Sequence, residues 1–325
     1  MSFPCRPGRI GFLFLGGAKR VAMARMLRKA CEARGLQCDI TAYETDTRCA
    51  IACEGQVVVG RRWADADIFE HLDETVRTHG IDIIIPFVDK AVEICAEYVR
   101  HHASVPVFAP LGEPEGVKRM FDKVAAAQLF ESASLPVPQT WRGGDVTGTF
   151  IAKPRFGSAS KGLVMIDSQD DLQQIASKLD DYLVQRRYDK RREITVDCYV
   201  ETRTGRVSAL SPRVRQEVSG GEVVRTTSIA DSRIDAIVSA ALQATGLRGA
   251  VTVQLIHDLD SDALMIMEIN PRLGGGAVAS VHAGADIPGM IVDDAMGKAL
   301  KCAEPVAGVT TVRYLEDVVF MPDEK

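Results

Sequence analysis

Between residues 9 and about 111 the chain alternates between short apolar runs and amphipathic helical periods. This alternation restricts the fold more than any other feature of the sequence. Residues 10–15, Ile-Gly-Phe-Leu-Phe-Leu, form an apolar run that ends at Gly16 and Gly17. A helical period over 21–34 is stopped by Gly35, and residues 37–43 read as a second strand. A helix over 67–79 stops at Gly80, a third strand covers 81–86, a helix covers 88–101, and a short strand covers 105–108. Strands separated by helices cannot pair through tight turns. They require right-handed crossovers, and so a parallel sheet. The first turn, Gly16-Gly17-Ala18-Lys19, lacks the GxGxxG pattern, so a dinucleotide site is only weakly indicated.

The pattern changes after residue 111. Residues 112–135 read as a helix carrying Lys118 and Lys123, and Leu-Pro-Val-Pro at 135–138 breaks it. Strands are expected at 150–154, 163–167, 182–185 and 193–201, with helices at 169–179 and 233–245. This is an antiparallel α+β region. Two apolar runs, 251–256 and the one ending at 270, flank the turn-like Asp258-Leu-Asp-Ser-Asp262 and read as a β-hairpin. With the turn near Ser261, Gln254 lies opposite Glu268. Strand alternation then puts Gln254, Glu268 and Asn270 on one face. Met265, Met267 and Ile269 share the other with Val251, Val253 and Leu255. Pro271 ends the strand where Arg272 must project, and three glycines at 274–276 suit a close backbone approach. One carboxylate, two amides and a guanidinium suit Mg²⁺ and phosphate. The competing reading is an ordinary solvated sheet face.

A second feature is the loop Gly157-Ser158-Ala159-Ser160-Lys161-Gly162, made of small residues and one lysine. Its backbone N–H groups suit phosphate oxygens. It is followed by Leu163 and Val164 and leads into a strand, so it is not a Walker A loop, and a plain hairpin turn competes with the phosphate reading. Lys153, among apolar neighbours on the preceding strand, needs a partner such as a phosphate.

Composition bounds the rest. The 325 residues suffice for two or three domains, and 46% hydrophobic with 26% charged residues is usual for a soluble globular protein. A net charge of −5 argues against general nucleic-acid binding. No run of about 18 apolar residues suggests a membrane span, and the N-terminus lacks a signal-peptide pattern. The eight cysteines are scattered without a CxxC pair, and Cys49 and Cys53 lack nearby partners for zinc. Reduced thiols in a cytoplasmic protein are the expectation.

The ordered set of Lys123, Lys153 before a small-residue loop, and Gln254 before Glu-Ile-Asn-Pro-Arg at 268–272 resembles the ATP-grasp superfamily. The likeness is closest to its carbamoyl-phosphate-synthase-like members. Lys-Pro-Arg-Phe-Gly-Ser-Ala-Ser at 153–160, Ile-Asn-Pro-Arg-Leu-Gly-Gly-Gly at 269–276 and Gly-Ala-Asp-Ile-Pro at 284–288 carry it, and it extends over about 9–300. The resemblance implies an α/β N-terminal domain of pre-ATP-grasp type over 1–111. An α+β ATP-grasp domain over 112–325 follows, with a small lobe to about 187 and a large lobe from about 188.

By the same resemblance, Lys123 and Lys153 hold the ATP phosphates, and the 157–162 loop is a lid over them. The backbone of Gln185, Arg186, Arg187 and Tyr188 meets adenine, although the family more often has Glu where Gln185 stands. Glu193 takes the ribose hydroxyls. Gln254, Glu268 and Asn270 hold two Mg²⁺ ions, with Mn²⁺ as an alternative, and Arg272 faces the transferred phosphoryl group. The implied reaction activates a small-molecule carboxylate as an acyl phosphate and joins it to an amine. A carboxyphosphate-forming enzyme and a non-catalytic ATP-binding sensor are the alternatives. A homodimer is compatible with the resemblance.

Substrate candidates are less specific. Arg213, Arg215 and Arg225 suit an acyl phosphate or carboxylate, with Arg215 the candidate placed in the catalytic set; solvated surface arginines are the ordinary alternative. Asp89 and Glu93, one helical turn apart after a parallel strand, suit a substrate ammonium, and a helix-capping role for Asp89 competes. Gly275 and His282, in and after the glycine run, complete the set; for His282 a packed or exposed histidine is the stronger reading.

Overall fold

The apolar run at the start of the chain is explained by burial on both faces of a strand. In the computed structural model, which describes residues 8–157 and 161–321, β1 (Arg9–Leu15) is buried at every position after Arg9. It is followed by α1 (Val21–Glu32), β2 (Gln37–Glu44), β3 (Gln56–Val59), α2 (Ile68–His79), β4 (Ile83–Pro86) and α3 (Asp89–Glu97). The strands form a sheet in the order β3-β2-β1-β4, with each neighbouring pair parallel. Gly80 caps α2 in the left-handed conformation at φ 58°, which explains the sharp stop there.

Two local expectations in this region are corrected, and β3, too short at four residues to stand out in the sequence, extends the sheet. Residues 105–108 make only one bridge to the sheet, Phe108 to Ile83, because Pro106 has no N–H to give a ladder. The helix expected over 88–101 ends at Glu97 and widens into a π turn, Tyr98–His102.

The helix expected over 112–135 is two helices, α4 (Pro114–Phe121) and α5 (Lys123–Ser132). Asp122 leaves helical geometry between them, and its carboxylate accepts the N–H groups of Val124 and Ala125 at 3.1 Å. Lys123 therefore opens a helix. Next come β5 (Phe150–Pro154), β6 (Val164–Ile166), α6 (Gln169–Ile175) and β7 (Tyr182–Arg186), in an antiparallel sheet ordered β6-β5-β7. Phe150, Ala152, Ile166, Leu172, Ile175 and Val184 fill its small core.

The remaining elements are β8 (Arg191–Val200), β9 (Val207–Ser219), β10 (Glu222–Ser228), α7 (Ser232–Thr245), β11 (Gly249–Asp258), β12 (Leu264–Asn270), α8 (Ala277–His282), α9 (Ile287–Ala295) and β13 (Thr310–Val312). Their strands form a six-stranded antiparallel sheet in the order β12-β11-β8-β9-β10-β13. Phe130 of α5 and Val238 and Leu242 of α7 join Val196, Val253 and Ile269 in one apolar cluster on this sheet. Phe12, Phe14 and Leu27 of the parallel region share a second cluster with Leu273, Ala277, Ile287 and Ile291. That shared cluster brings the C-terminal ends of β1 and β4 against the end of β12.

The register of β11 and β12 is the expected one at the key position, with Gln254 opposite Glu268. One residue later the pairing slips, and Leu255 lies opposite Ile266. Met267 is thus the extra residue of a β-bulge. The core face beyond it is made by Leu264 and Ile266, and Met265 and Met267 do not join that cluster, contrary to simple alternation. No helix among the described residues is long and apolar enough to cross a membrane.

Candidate active site

Glu268 is the centre of the polar face on the hairpin. Its Oε1 accepts the Gln254 side-chain amide at 2.6 Å and the Asn270 amide at 3.0 Å. Arg215, across the sheet on β9, donates to Gln254 Oε1 at 3.1 Å and to the Gly221 carbonyl at 3.2 Å. Glu193 on β8 lies 3.9 Å from Arg215 and 3.4 Å from Arg191. These six side chains from four neighbouring strands form one patch. Glu268 is its central carboxylate, and no group of three His, Cys, Asp or Glu residues among the described residues could hold a metal. The donor set fits a hard cation that receives most of its remaining ligands and charge from elsewhere, as Mg²⁺ does from phosphate oxygens.

A cleft between the two antiparallel sheets is lined by Met120, Lys123, Lys153, Gln185, Met267 and Glu268. Lys153 donates to Gln185 Oε1 at 3.0 Å. Burial pushes the Lys153 ammonium down from 10.5 to about 8. Glu268 pulls it back up, while Lys123 and Arg191 add to the fall. Lys123 donates to the Gly157 carbonyl at 2.5 Å, and its own N–H bonds the Arg155 carbonyl at 3.0 Å. Arg155 in turn grips Asp122 through Nε at 2.9 Å and Nη2 at 2.6 Å. The helix cap thus ties Lys123 to the entry of the 157–162 loop. Gly157 and Gly162 both have positive φ, 108° and 72°. Ser158, Ala159 and Ser160 lie outside the described residues.

Along 185–188, the N–H groups of Arg186 and Arg187 are engaged by the carbonyls of Gln139 and Thr149 at 2.8 and 2.9 Å. Arg187 forms ion pairs with Asp167 and Asp189, and the Tyr188 carbonyl accepts from Arg191 at 2.8 Å. Gln185 itself is 2% exposed and donates to the Pro138 carbonyl at 3.3 Å.

Arg272 projects past Pro271 and donates through Nε to Asp89 at 2.8 Å. Asp89 is therefore a partner of Arg272, not a helix cap. Val88 occupies the cap position and Asp89 is the first residue of α3. Glu93 pairs with Lys90 at 2.9 Å on the same helix. Arg213 is neither a surface arginine nor a free substrate ligand, because it is 3% exposed and bonded to Asp197 at 2.8 Å. Asp197 also accepts from Ser280 at 2.7 Å, so this buried network lies beneath the glycine run. Arg225 is exposed and pairs with Glu217 at 3.3 Å, and His282 is exposed at the end of α8.

Two charged residues not singled out in the sequence lie at the glycine run that follows Arg272. Arg20, just before α1, lies 3.5 Å from Glu222 of β10, and its guanidinium is 5.8 Å from the centre of the Phe87 ring. A Cβ on Gly275 would come 3.2 Å from Arg20 Nη1, so the second glycine of the run leaves room for that guanidinium. The available signal was positional: Arg20 follows the turn after β1, at the carboxyl end of a parallel sheet where ligands favour binding. Beneath that turn, burial pushes the Glu44 carboxyl up against the opposing effect of the Gly17 and Ala18 backbone, and Glu44 Oε1 has no hydrogen-bond partner.

A family model described as "ATP-grasp in the biosynthetic pathway with Ter operon" matches residues 178–318. A comparison with curated protein sequences finds no match. Among solved structures, a biotin carboxylase from Campylobacter jejuni, described as a β,γ-ATP complex, superposes with a TM-score of 0.69 at 19% identity, covering 91% of this chain and 73% of that one. The N5-carboxyaminoimidazole synthetase of Staphylococcus aureus, complexed with ADP, gives 0.69 at 16% identity over 94% and 81% of the two chains. An L-amino acid ligase from Bacillus licheniformis gives 0.69 at 15% identity over 90% and 75%. The family model thus matches the C-terminal part of the chain, and the solved structures share its fold over about nine-tenths of its length.

Proposed function

We propose that this chain is an ADP-forming ligase that phosphorylates a small-molecule carboxylate with ATP and transfers the acyl group to an amine. The observation that carries the reading is one convergence. Lys123 and Lys153 line a cleft whose floor is Glu268, beside Gln254, Asn270 and Arg215, and Arg272 stands at the end of the same strand. Phosphoryl transfer needs positioning and charge neutralisation more than covalent chemistry from the protein, and these groups supply both.

In this reading Lys123 and Lys153 hold the triphosphate, and the 157–162 loop covers it. Residues 185–188 border the adenine and Glu193 takes the ribose. Glu268, Asn270 and Gln254 hold two Mg²⁺ ions that arrive with the nucleotide. When bound, Mg²⁺ neutralises phosphate charge and aligns the phosphoryl group. Arg272 and Arg215 screen the attacking carboxylate from the γ-phosphate, because two anions otherwise repel each other. Covering the site excludes water that would hydrolyse the acyl phosphate before the amine reacts. Residues 1–111 form the N-terminal domain and 112–325 the ATP-grasp domain.

The test is phosphate release from Mg-ATP, screened over carboxylates crossed with amines, with product masses recorded. The expected result is ADP, phosphate and a condensed product for at least one pair. Tight Mg-ATP binding with no phosphate release from any pair would instead indicate a nucleotide-binding sensor. Bicarbonate belongs in the screen, because two of the similar structures are named as a carboxylase and a carboxyaminoimidazole synthetase.

A further inference from the structure

We propose that Arg20 binds an anionic group of the acid substrate, so that the substrate spans from the turn after β1 to Arg272 and carries a negative charge besides the carboxylate that is phosphorylated. This deepens the ligase reading above and rests on it.

The geometry joins two guanidinium groups around one turn. After β4 the chain runs Phe87-Val88-Asp89. Arg20 stands over Phe87, and Arg272 bonds Asp89 at 2.8 Å. A Cβ on Gly275, three residues beyond Arg272, would come 3.2 Å from Arg20 Nη1 and 3.4 Å from Glu222 Oε1. Arg20 and Arg272 therefore flank the same turn, Phe87 to Asp89, between the parallel sheet and the end of the hairpin.

The charges there do not balance. Arg272 has Asp89 to itself, but Arg20 shares Glu222 with Arg313, and Arg313 lies nearer, at 2.8 Å against 3.5 Å. Arg20 is also substantially buried, with 17% of its side chain exposed. Burial lowers the pKa of its guanidinium, and the charges of Arg313 and Arg272 push the same way against Glu222. A partly buried, under-neutralised guanidinium gains most from an anion that can reach it. Glu222 holds that place until a substrate anion displaces it.

The probe is glutarate, a dicarboxylate, compared with acetate. Each is titrated into the full chain saturated with Mg-ADP at matched ionic strength. Mg-ADP binding is measured first and separately, and its failure would count against the nucleotide site and not against Arg20. Wild type is expected to bind glutarate at least about tenfold more tightly than acetate, the scale of one charged hydrogen bond. Arg20→Gln is expected to erase that preference with Mg-ADP affinity unchanged, and Arg20→Lys to restore part of it. Glu222→Gln, which removes the competing carboxylate, is expected to tighten glutarate. With Mg-ADP bound normally, the proposal is overturned if wild type does not prefer glutarate, if Arg20→Gln keeps the preference, or if Glu222→Gln weakens glutarate binding.

Discussion

Lys153 offers the most direct test of the site, because it couples folding to nucleotide binding. The ammonium is held down from 10.5 to about 8 by burial, a difference worth about 3 kcal/mol against folding at neutral pH. The unfolded chain therefore binds more protons than the folded one between these values. Stability contributed through this group rises with pH across that window, and about 2 kcal/mol of the burden should be relieved between pH 7 and 9.5. Lys153→Met keeps the length and removes the charge. It also leaves Gln185 Oε1, now bonded at 3.0 Å, without its donor, which costs about 1–3 kcal/mol at any pH. The informative quantity is thus the pH dependence of the difference between the two proteins, in which the Gln185 term cancels. Denaturant unfolding at a series of pH values measures it. The expected outcome is a wild-type stability that gains about 2 kcal/mol on the variant from pH 7 to 9.5. Triphosphate oxygens would favour the charged lysine, so Mg-ATP binding near pH 8.5 should take up protons, read from calorimetry in two buffers of different ionisation heat. Mg-ATP affinity should fall as pH rises above about 8. A flat stability difference, or binding heats independent of buffer, would refute the assignment of a buried phosphate-binding cation.

Glu268→Gln should keep the fold and lower phosphate release by a factor on the order of 10², since the cation site loses its central carboxylate; wild-type turnover would remove Glu268 from the site. Asp197→Ala should destabilise by about 3–5 kcal/mol in denaturant unfolding, because Arg213 would remain buried without its partner. The double change Asp197→Leu with Arg213→Met should recover most of that loss. Gly249→Ala should lower stability by at least about 2 kcal/mol: φ is +75° and the added Cβ would sit 1.9 Å from the Pro110 carbonyl oxygen. A variant with an unchanged denaturation midpoint would contradict that crossing.

The hairpin at 249–270 shows how far local pattern carries. Strand period and turn chemistry place Gln254 opposite Glu268, and both are local properties of the backbone. The bulge at Met267 is not local in that sense. It leaves Met265, still buried, and Met267 out of the apolar cluster that Leu264 and Ile266 enter, and nothing in the alternation signals one extra residue. Asp122 teaches a similar lesson from the other side. Its capping chemistry was present in the sequence, yet the apolar period ran through it and concealed the break that sets Lys123 at a helix start.

The charged residues divide along the same line. Gln254, Glu268 and Asn270 could be grouped from strand alternation, and Lys153 and Arg272 stand beside prolines, whereas Lys123 was singled out only by the resemblance to the ATP-grasp superfamily. Arg213 and Arg225 looked alike as strand arginines, but one is buried on Asp197 and the other is exposed on Glu217. Only packing separates them, because desolvation depends on what lies above a residue and not on its neighbours in sequence. Arg20, Asp89 and Glu222 come from three distant segments, and no spacing links them to Arg272. The sequence by itself determined the parallel sheet, the antiparallel region and the polar hairpin face, all short-range consequences of periodicity and turn chemistry. The tertiary structure decided which charges share a space, since the cluster joining Phe12, Leu273 and Ile291 docks the two regions. That docking sets Arg272 on Asp89 and brings Arg20 to Gly275.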